Sequence, residues 1–441
     1  MTAARTFLGR LGLDRPELRA WAMYDWANSA FMATVLQVFP IFFVRTAAAN
    51  LAPEVARARF AFFTSAAVIM VGLIGPLLGA IADHKGNKKG FLAAFLTVGL
   101  LSTAAMSLIQ RGDWILAATL FVVGNIGVTS TLAFYNSLLP GIASTDEIDR
   151  VSTAGFALGY LGGGLLLGLN LTMISRPGTF GLADAGDATR VAFLTVAIWW
   201  AVFSIPLFRK VPEPARRMVA GEANASTLQA ALGRLRETLR DLRTRYKDAG
   251  LLLLAFLLYN DAVNTIIRLA TNFADEIGIP TPYALAAILM VQFVGVPFAF
   301  LFGALADRIS AKKALFVGLF IYVLITLVGF NLHTTWQFFL LAFMVAIAMG
   351  GIQALSRSLF ASLIPKHKAG EMFGFFGVFD RFGGALGSIV FGLVLSATGS
   401  SRPAILALVV FFVAGGFVLS KVDVARGLRM AREAESETSG G

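Results

Sequence analysis

Four stretches of this chain place ionisable and amide side chains where a small solute could be held. Asp25, Asn28, Ser29 and Met32 fall three and four residues apart, one face of a helix, with Tyr24 beside them. Asp261, Asn264, Thr265 and Arg268 repeat that face later in the chain. Gln353 and Arg357 share a third stretch, and Asp380 and Arg381 form the fourth. A carboxylate carries a proton where burial raises its pKa and is a fixed counter-charge where a cation stands beside it. Asp25 and Asp261 could instead be helix N-terminal residues favoured by the helix dipole. Arg357 has the planar fork that grips a carboxylate, whether from a solute or from Asp261 or Asp380. Asp380 and Arg381 point about 100° apart on a helix, so they are poor partners for each other.

Other chemistries lack their residues. The chain has no Cys, and its three His, at 84, 333 and 367, are dispersed, so no metal site is expected. No Gly-rich loop ending in Lys-Ser or Lys-Thr is present to cradle ATP phosphates. No catalytic residue and no cofactor is assigned, and a gradient is a better energy source than ATP.

The elements that hold these groups follow from composition. Hydrophobic residues make up 57% of the 441, and only 14% are charged. A soluble domain carries about a quarter charged residues. Segments of the length a bilayer requires run near 21–44, 60–82, 90–110, 114–138, 151–174, 191–208, 249–272, 283–306, 313–332, 335–363, 372–397 and 402–420. Placing both termini inside puts 27 of the 37 Lys and Arg in inside segments and 7 in outside loops, the positive-inside pattern. The net charge of +11 is therefore read as basic cytoplasmic loops against anionic lipid, not as a nucleic-acid surface. The expected organisation is a cytoplasmic segment 1–20, a six-helix bundle 21–208, a linker 209–248, a second bundle 249–420 and a cytoplasmic tail 421–441, polar and disordered from 433. The linker holds an amphipathic helix, capped at Ser226 or Thr227, with Leu228, Leu232, Leu235, Leu239 and Leu242 on one stripe. It could lie on the inner leaflet or pack on the bundle ends.

The two halves echo each other at three places in the same order. Asp25-x-x-Asn28-Ser29 matches Asp261-x-x-Asn264-Thr265. Gly79…Asp83…Lys88-Lys89 matches Gly303…Asp307…Lys312-Lys313 at identical spacing. Ser137-Leu138-Leu139-Pro140 matches Ser362-Leu363-Ile364-Pro365, and glycine-rich helices follow both: Gly155, Gly159, Gly162, Gly163 and Gly164 against Gly374, Gly377, Gly383, Gly384 and Gly387. Parallel six-span repeats are a transporter architecture with the site between halves at mid-membrane. The Asp83 and Asp307 loops read as gates, each Asp holding a neighbouring helix, with the four lysines over headgroups.

The Gly79…Asp83…Gly86…Lys88-Lys89 loop resembles the signature of the major facilitator superfamily. His84 replaces the usual Arg, while the second copy keeps Arg308 but has Ser310 for Gly. A narrower resemblance is to the fungal vacuolar amino-acid effluxers and their bacterial relatives. It rests on Trp21-Ala22-Met23-Tyr24-Asp25-Trp26-Ala27-Asn28-Ser29-Ala30, on Tyr259-Asn260-Asp261 and on Gly350-Gly351-Ile352-Gln353-Ala354-Leu355-Ser356-Arg357-Ser358. It implies an all-α membrane protein, twelve transmembrane helices in two six-helix bundles related by a pseudo-two-fold axis, and a gate of Gly79, Asp83, Lys88, Lys89, Gly303, Asp307, Arg308, Lys312 and Lys313.

The expected function is secondary active transport of a small polar or zwitterionic solute, amino acids among them, driven by a proton or ion gradient in an inner membrane, by a functional monomer. Two alternatives remain open at this point: proton-linked export of lipophilic drugs or lipids, and a non-transporting sensor or scaffold.

Overall fold

The computed structural model describes residues 7–214, 227–276, 278–383 and 385–437. Among these, twelve helices are long and apolar enough to cross a membrane, and no strand occurs. Helices satisfy every backbone amide internally, which hydrocarbon demands. Spans 1 to 6 are Pro16–Ala47, Pro53–Lys85, Lys88–Leu108, Trp114–Ile142, Ile148–Ser175 and Ala185–Lys210. Spans 7 to 12 are Lys247–Ala270, Tyr283–Ile309, Ala311–Phe330, Thr335–Ser362, Lys366–Thr398 and Ser401–Ser420.

Two irregular spans shape the centre. Span 1 widens into π-helical turns at Phe31–Val35 and Phe43–Ala47, with Pro40 between them. Span 11 is two helices, Ala369–Phe382 and Ala385–Thr398, parted at Gly383; Gly384 lies outside the described residues.

The glycines of the repeat let these helices approach closely. A Cβ on Gly155, Gly159 or Gly162 of span 5 would overlap Asp25, Ser29 or Trp26 of span 1. A Cβ on Gly383 or Gly387 of span 11 would crowd Asn260, Asp261, Asn264 and Thr265 of span 7. Between the halves, Gly79 of span 2 abuts the backbone of Gly370 on span 11, and Gly303 of span 8 abuts Thr153 on span 5.

Three of the four lysines of the echoed loops differ from the headgroup role expected of them. Lys88 is buried in an ion pair with Asp83, Nζ to Oδ1 2.9 Å. Lys89 Nζ donates to Phe208 O (2.9 Å) and Val211 O (2.6 Å), closing the end of span 6. Lys312 does the same for span 12, donating to Ser420 O (2.9 Å) and Val422 O (2.7 Å). Aligned by sequence, Lys312 matches Lys88, yet it performs the role of Lys89. The reason is local. Gly86 (φ 63°) and Asn87 separate spans 2 and 3, whereas Ser310 (φ 85°) alone separates spans 8 and 9. Lys89 and Lys312 are thus both the second residue of their helix, and Lys313 is left exposed.

The linker helix Thr227–Asp241 packs on the bundle ends. Lys368 Nζ holds it through Glu237 (2.7 Å) and Asp241 (2.8 Å). Its buried side is polar, Arg234 and Thr238, while Leu232 and Leu239 are exposed. Ser226, offered as its cap, lies outside the described residues. The tail corrects an expectation. Residues 433–437 are not disordered but end a helix, Val424–Glu437. Arg426 anchors it with two bonds to Asp248, Nε to Oδ2 and Nη2 to Oδ1, both 2.7 Å.

Candidate solute cavity and gate

A cavity of about 1100 Å³ lies between the halves, just above the roughly 300–1,000 Å³ of most small-molecule sites. It rises from Asp25, Asn136 and Arg357 past Asn28, Ser29, Asn264, Thr265 and Arg268 to Arg45 and Arg57, beside the loop joining spans 1 and 2. That loop is at the end of the molecule opposite the termini.

Arg357 crosses from the second half into the first. Its Nη1 pairs with Asp25 Oδ2 at 3.0 Å and reaches Asn136 Oδ1 at 3.3 Å. Nε donates to Ser152 Oγ (2.9 Å) and Nη2 to Ser152 O (2.8 Å). Ser152 Oγ in turn donates to Ala354 O at 2.7 Å. The guanidinium lies over the rings of Phe156 (4.4 Å) and Trp21 (4.7 Å), contacts that gain strength away from water. Trp21 is stacked on Tyr135 and donates from Nε1 to Tyr135 O. The side chain of Arg357 is 4% exposed and that of Asp25 10%, so the two ions compensate each other in a site nearly free of water.

The expected partners of Arg357, Asp261 and Asp380, are therefore replaced by Asp25. Asp261 accepts backbone N–H bonds from Leu386 (3.1 Å) and Gly387, at the start of the second helix of span 11. It does serve a helix N-terminus, as the dipole argument allowed, but that of a different helix. Asp380 accepts from Asn260 Nδ2 at 3.0 Å.

Nine of the twelve expected binding residues line the cavity: Asp25, Asn28, Ser29, Asn264, Thr265, Arg268, Gln353, Arg357 and Asp380. Three do not. Tyr24 is fully buried, its ring 4.8 Å from that of Tyr135. Asp261 is enclosed by span 11, and Arg381 is not among the residues that line the cavity. Tyr259 is buried too, its hydroxyl 2.6 Å from Ser356 Oγ, so neither tyrosine belongs to an interfacial belt.

Below the cavity, the terminal side is closed by two matching contacts. Asp83, at the end of span 2, accepts from Glu371 N (2.8 Å) at the start of span 11. Asp307, at the end of span 8, accepts from Arg150 Nη1 (2.7 Å) at the start of span 5. Ser358 Oγ donates to Asp149 Oδ1 (2.5 Å) between them. Arg308 is exposed and stands outside this closure. Ser152, Asp149, Arg150 and Glu371 escaped the sequence reading. Their signal was position: each polar residue opens a span that follows one of the two echoed Leu-Pro or Ile-Pro motifs.

Comparison with known proteins follows this geometry. The profile of a family described as vacuole effluxer Atg22-like matches residues 13–432. The uncharacterised MFS-type transporter YxiO of Bacillus subtilis is 33% identical over 91% of this chain and 94% of its own length. Autophagy-related protein 22 of Kluyveromyces lactis is 25% identical over 85% of this chain and 81% of its own. Among solved structures, the major facilitator transporter FucP in its outward conformation superposes with TM-score 0.69 at 14% identity, covering 93% of this chain and all of FucP. The proton:xylose symporter XylE gives 0.68 at 15% identity, covering 94% and 95%. At such identities these two likenesses speak to the fold alone.

Proposed function

This chain belongs to the Atg22-like vacuole effluxer family, and from that premise we propose how it works. It is a multi-pass secondary transporter of the major facilitator type. The solute we propose is small and polar or zwitterionic, amino acids among the candidates, moved by alternating access under a proton or ion gradient. The halves 21–208 and 249–420 are the rocking bodies, in an inner membrane with both termini cytoplasmic. In that orientation the cavity opens outward, and the terminal-side contacts form the closed inner gate.

The observation that carries this reading is the Asp25–Arg357 pair at the cavity floor, one partner from each half. Opening the inner side separates the halves and must part the pair. Asp25 and Arg357 then each lose the counter-charge that offsets their burial. A proton or other ion that supplies the missing compensation would tie the gradient to the conformational step.

Reconstituted protein tests this. Counterflow of at least one radiolabelled small polar solute, with amino acids and organic acids both tried, should appear in proteoliposomes and respond to an imposed pH gradient. Asp25→Asn with Arg357→Gln, which leaves no unpaired buried charge, should keep counterflow but lose the response to pH. Folded protein without flux for any solute, in either direction, sinks the reading.

A further inference from the structure

We infer that the solute is an organic anion with an apolar body, its negative head held by Arg268; this rests on the transport reading above and narrows its solute class. Six charged side chains line the cavity: Asp25, Asp380, Arg45, Arg57, Arg268 and Arg357. The two acids are already engaged. Asp25 is paired with Arg357, whose other hydrogen bonds go to Ser152 and Asn136. Asp380 holds Asn260, and Arg381, next along the helix, acts electrostatically on both Asp380 and Arg268. Arg357, the residue whose type first suggested carboxylate binding, has four of its five N–H groups engaged and no longer offers a solute the open fork of a free guanidinium.

Arg268 does. It is exposed to the cavity one turn beyond Asn264 and Thr265 and has no ion pair among the described residues. Arg45 and Arg57, at the mouth, are exposed and likewise without ion pairs among those residues. A guanidinium stays protonated at any physiological pH. Three positive charges without an ion pair among the described residues, set between low-dielectric walls, focus a field that draws anions in and repels cations. The wall of the same cavity is largely apolar, with Ile267, Phe273, Ile288, Val291, Phe338 and Phe391 among its lining residues. It offers a body-binding surface with little for a second charged group to pair with. A zwitterion would need a carboxylate for its ammonium: Asp25 is paired with Arg357, and Asp380, bonded to the neutral Asn260, stands under the charge of Arg381.

The test is binding by the purified full-length protein, read as thermal stabilisation against concentration. Four probes share one branched body and differ in charge: 4-methyl-2-oxopentanoate, 3-methylbutyl phosphate, leucine and 3-methylbutylamine. We expect the oxoacid or the phosphate ester to bind at least tenfold tighter than leucine, and the amine not at all; whichever anion is tighter identifies the head group. Arg268→Gln should weaken the anion at least tenfold, with the ligand-free melting temperature preserved. Arg268→Lys should restore part of the loss. Leucine or the amine matching the anions overturns the assignment, as does silence of all four or an unaffected Arg268→Gln. Those outcomes leave transport of some other solute standing, because flux in liposomes is measured separately.

Discussion

Arg357 makes its contacts in one place and leaves consequences in two. In this conformation it cancels the charge of Asp25 and ties span 10 to spans 1, 4 and 5. Removing one partner of a buried ion pair costs about 3–5 kcal/mol, while replacing both by neutral groups costs far less. Arg357→Gln alone should therefore lower the melting temperature sharply, and Asp25→Asn with Arg357→Gln should recover most of it. Calorimetry on the two variants checks this, and equal destabilisation of single and double variants would contradict the pairing. Gly155 belongs to the same site, because a Cβ there would strike Asp25 Oδ2 and crowd Arg357 Nη2. Gly155→Val should abolish flux and lower stability as much as losing the arginine. Arg357 was legible in the sequence as a buried cation needing an acid. Its partner was not, because Asp25 lies 332 positions away and only the docking of two halves decides which of several acids it meets.

Span 11 carries the argument at the scale of the element. Its second helix begins with amides pointed at Asp261, a side-chain cap supplied by span 7 rather than by the preceding residue. Losing a cap costs about 0.5–2 kcal/mol, and here it also frees a break beside the cavity. Asp261→Ala should raise hydrogen exchange at residues 385–390 while leaving span 10 unchanged; uniform exchange along both spans would argue against a local cap. The lysine caps offer a second comparison. Lys89→Met and Lys312→Met should destabilise alike, and Lys313→Met should be neutral in the same melting assay, since Lys313 is exposed. Sequence alignment pairs Lys312 with Lys88. A single residue fewer in the second turn changes which side chain reaches the end of the neighbouring span.

At the scale of the whole molecule, the structure holds one of the states that alternating access requires, open opposite the termini and shut beside them. The chain contains no Cys, so one introduced cysteine is a unique reporter. Asn264→Cys, in the open cavity, should react with a membrane-impermeant maleimide added from the open side. Ser358→Cys, buried in the closed side, should stay silent until solute is present and the inner gate opens. Labelling of residue 358 without solute would show that the closed side is not closed.

The amino-acid sequence by itself determined the membrane solution, the count of spans and the duplication. These depend on local apolar length and on repeated motifs, which need no knowledge of distant neighbours. It also marked nine residues that line the cavity, because a polar group in a membrane helix must face protein or water. Which charges neutralise one another, and so which remain free for a solute, was decided by tertiary structure alone. Arg357 and Arg268 read alike along the chain, as single arginines within spans. The docking of the halves buried the first against Asp25 and left the second facing the cavity.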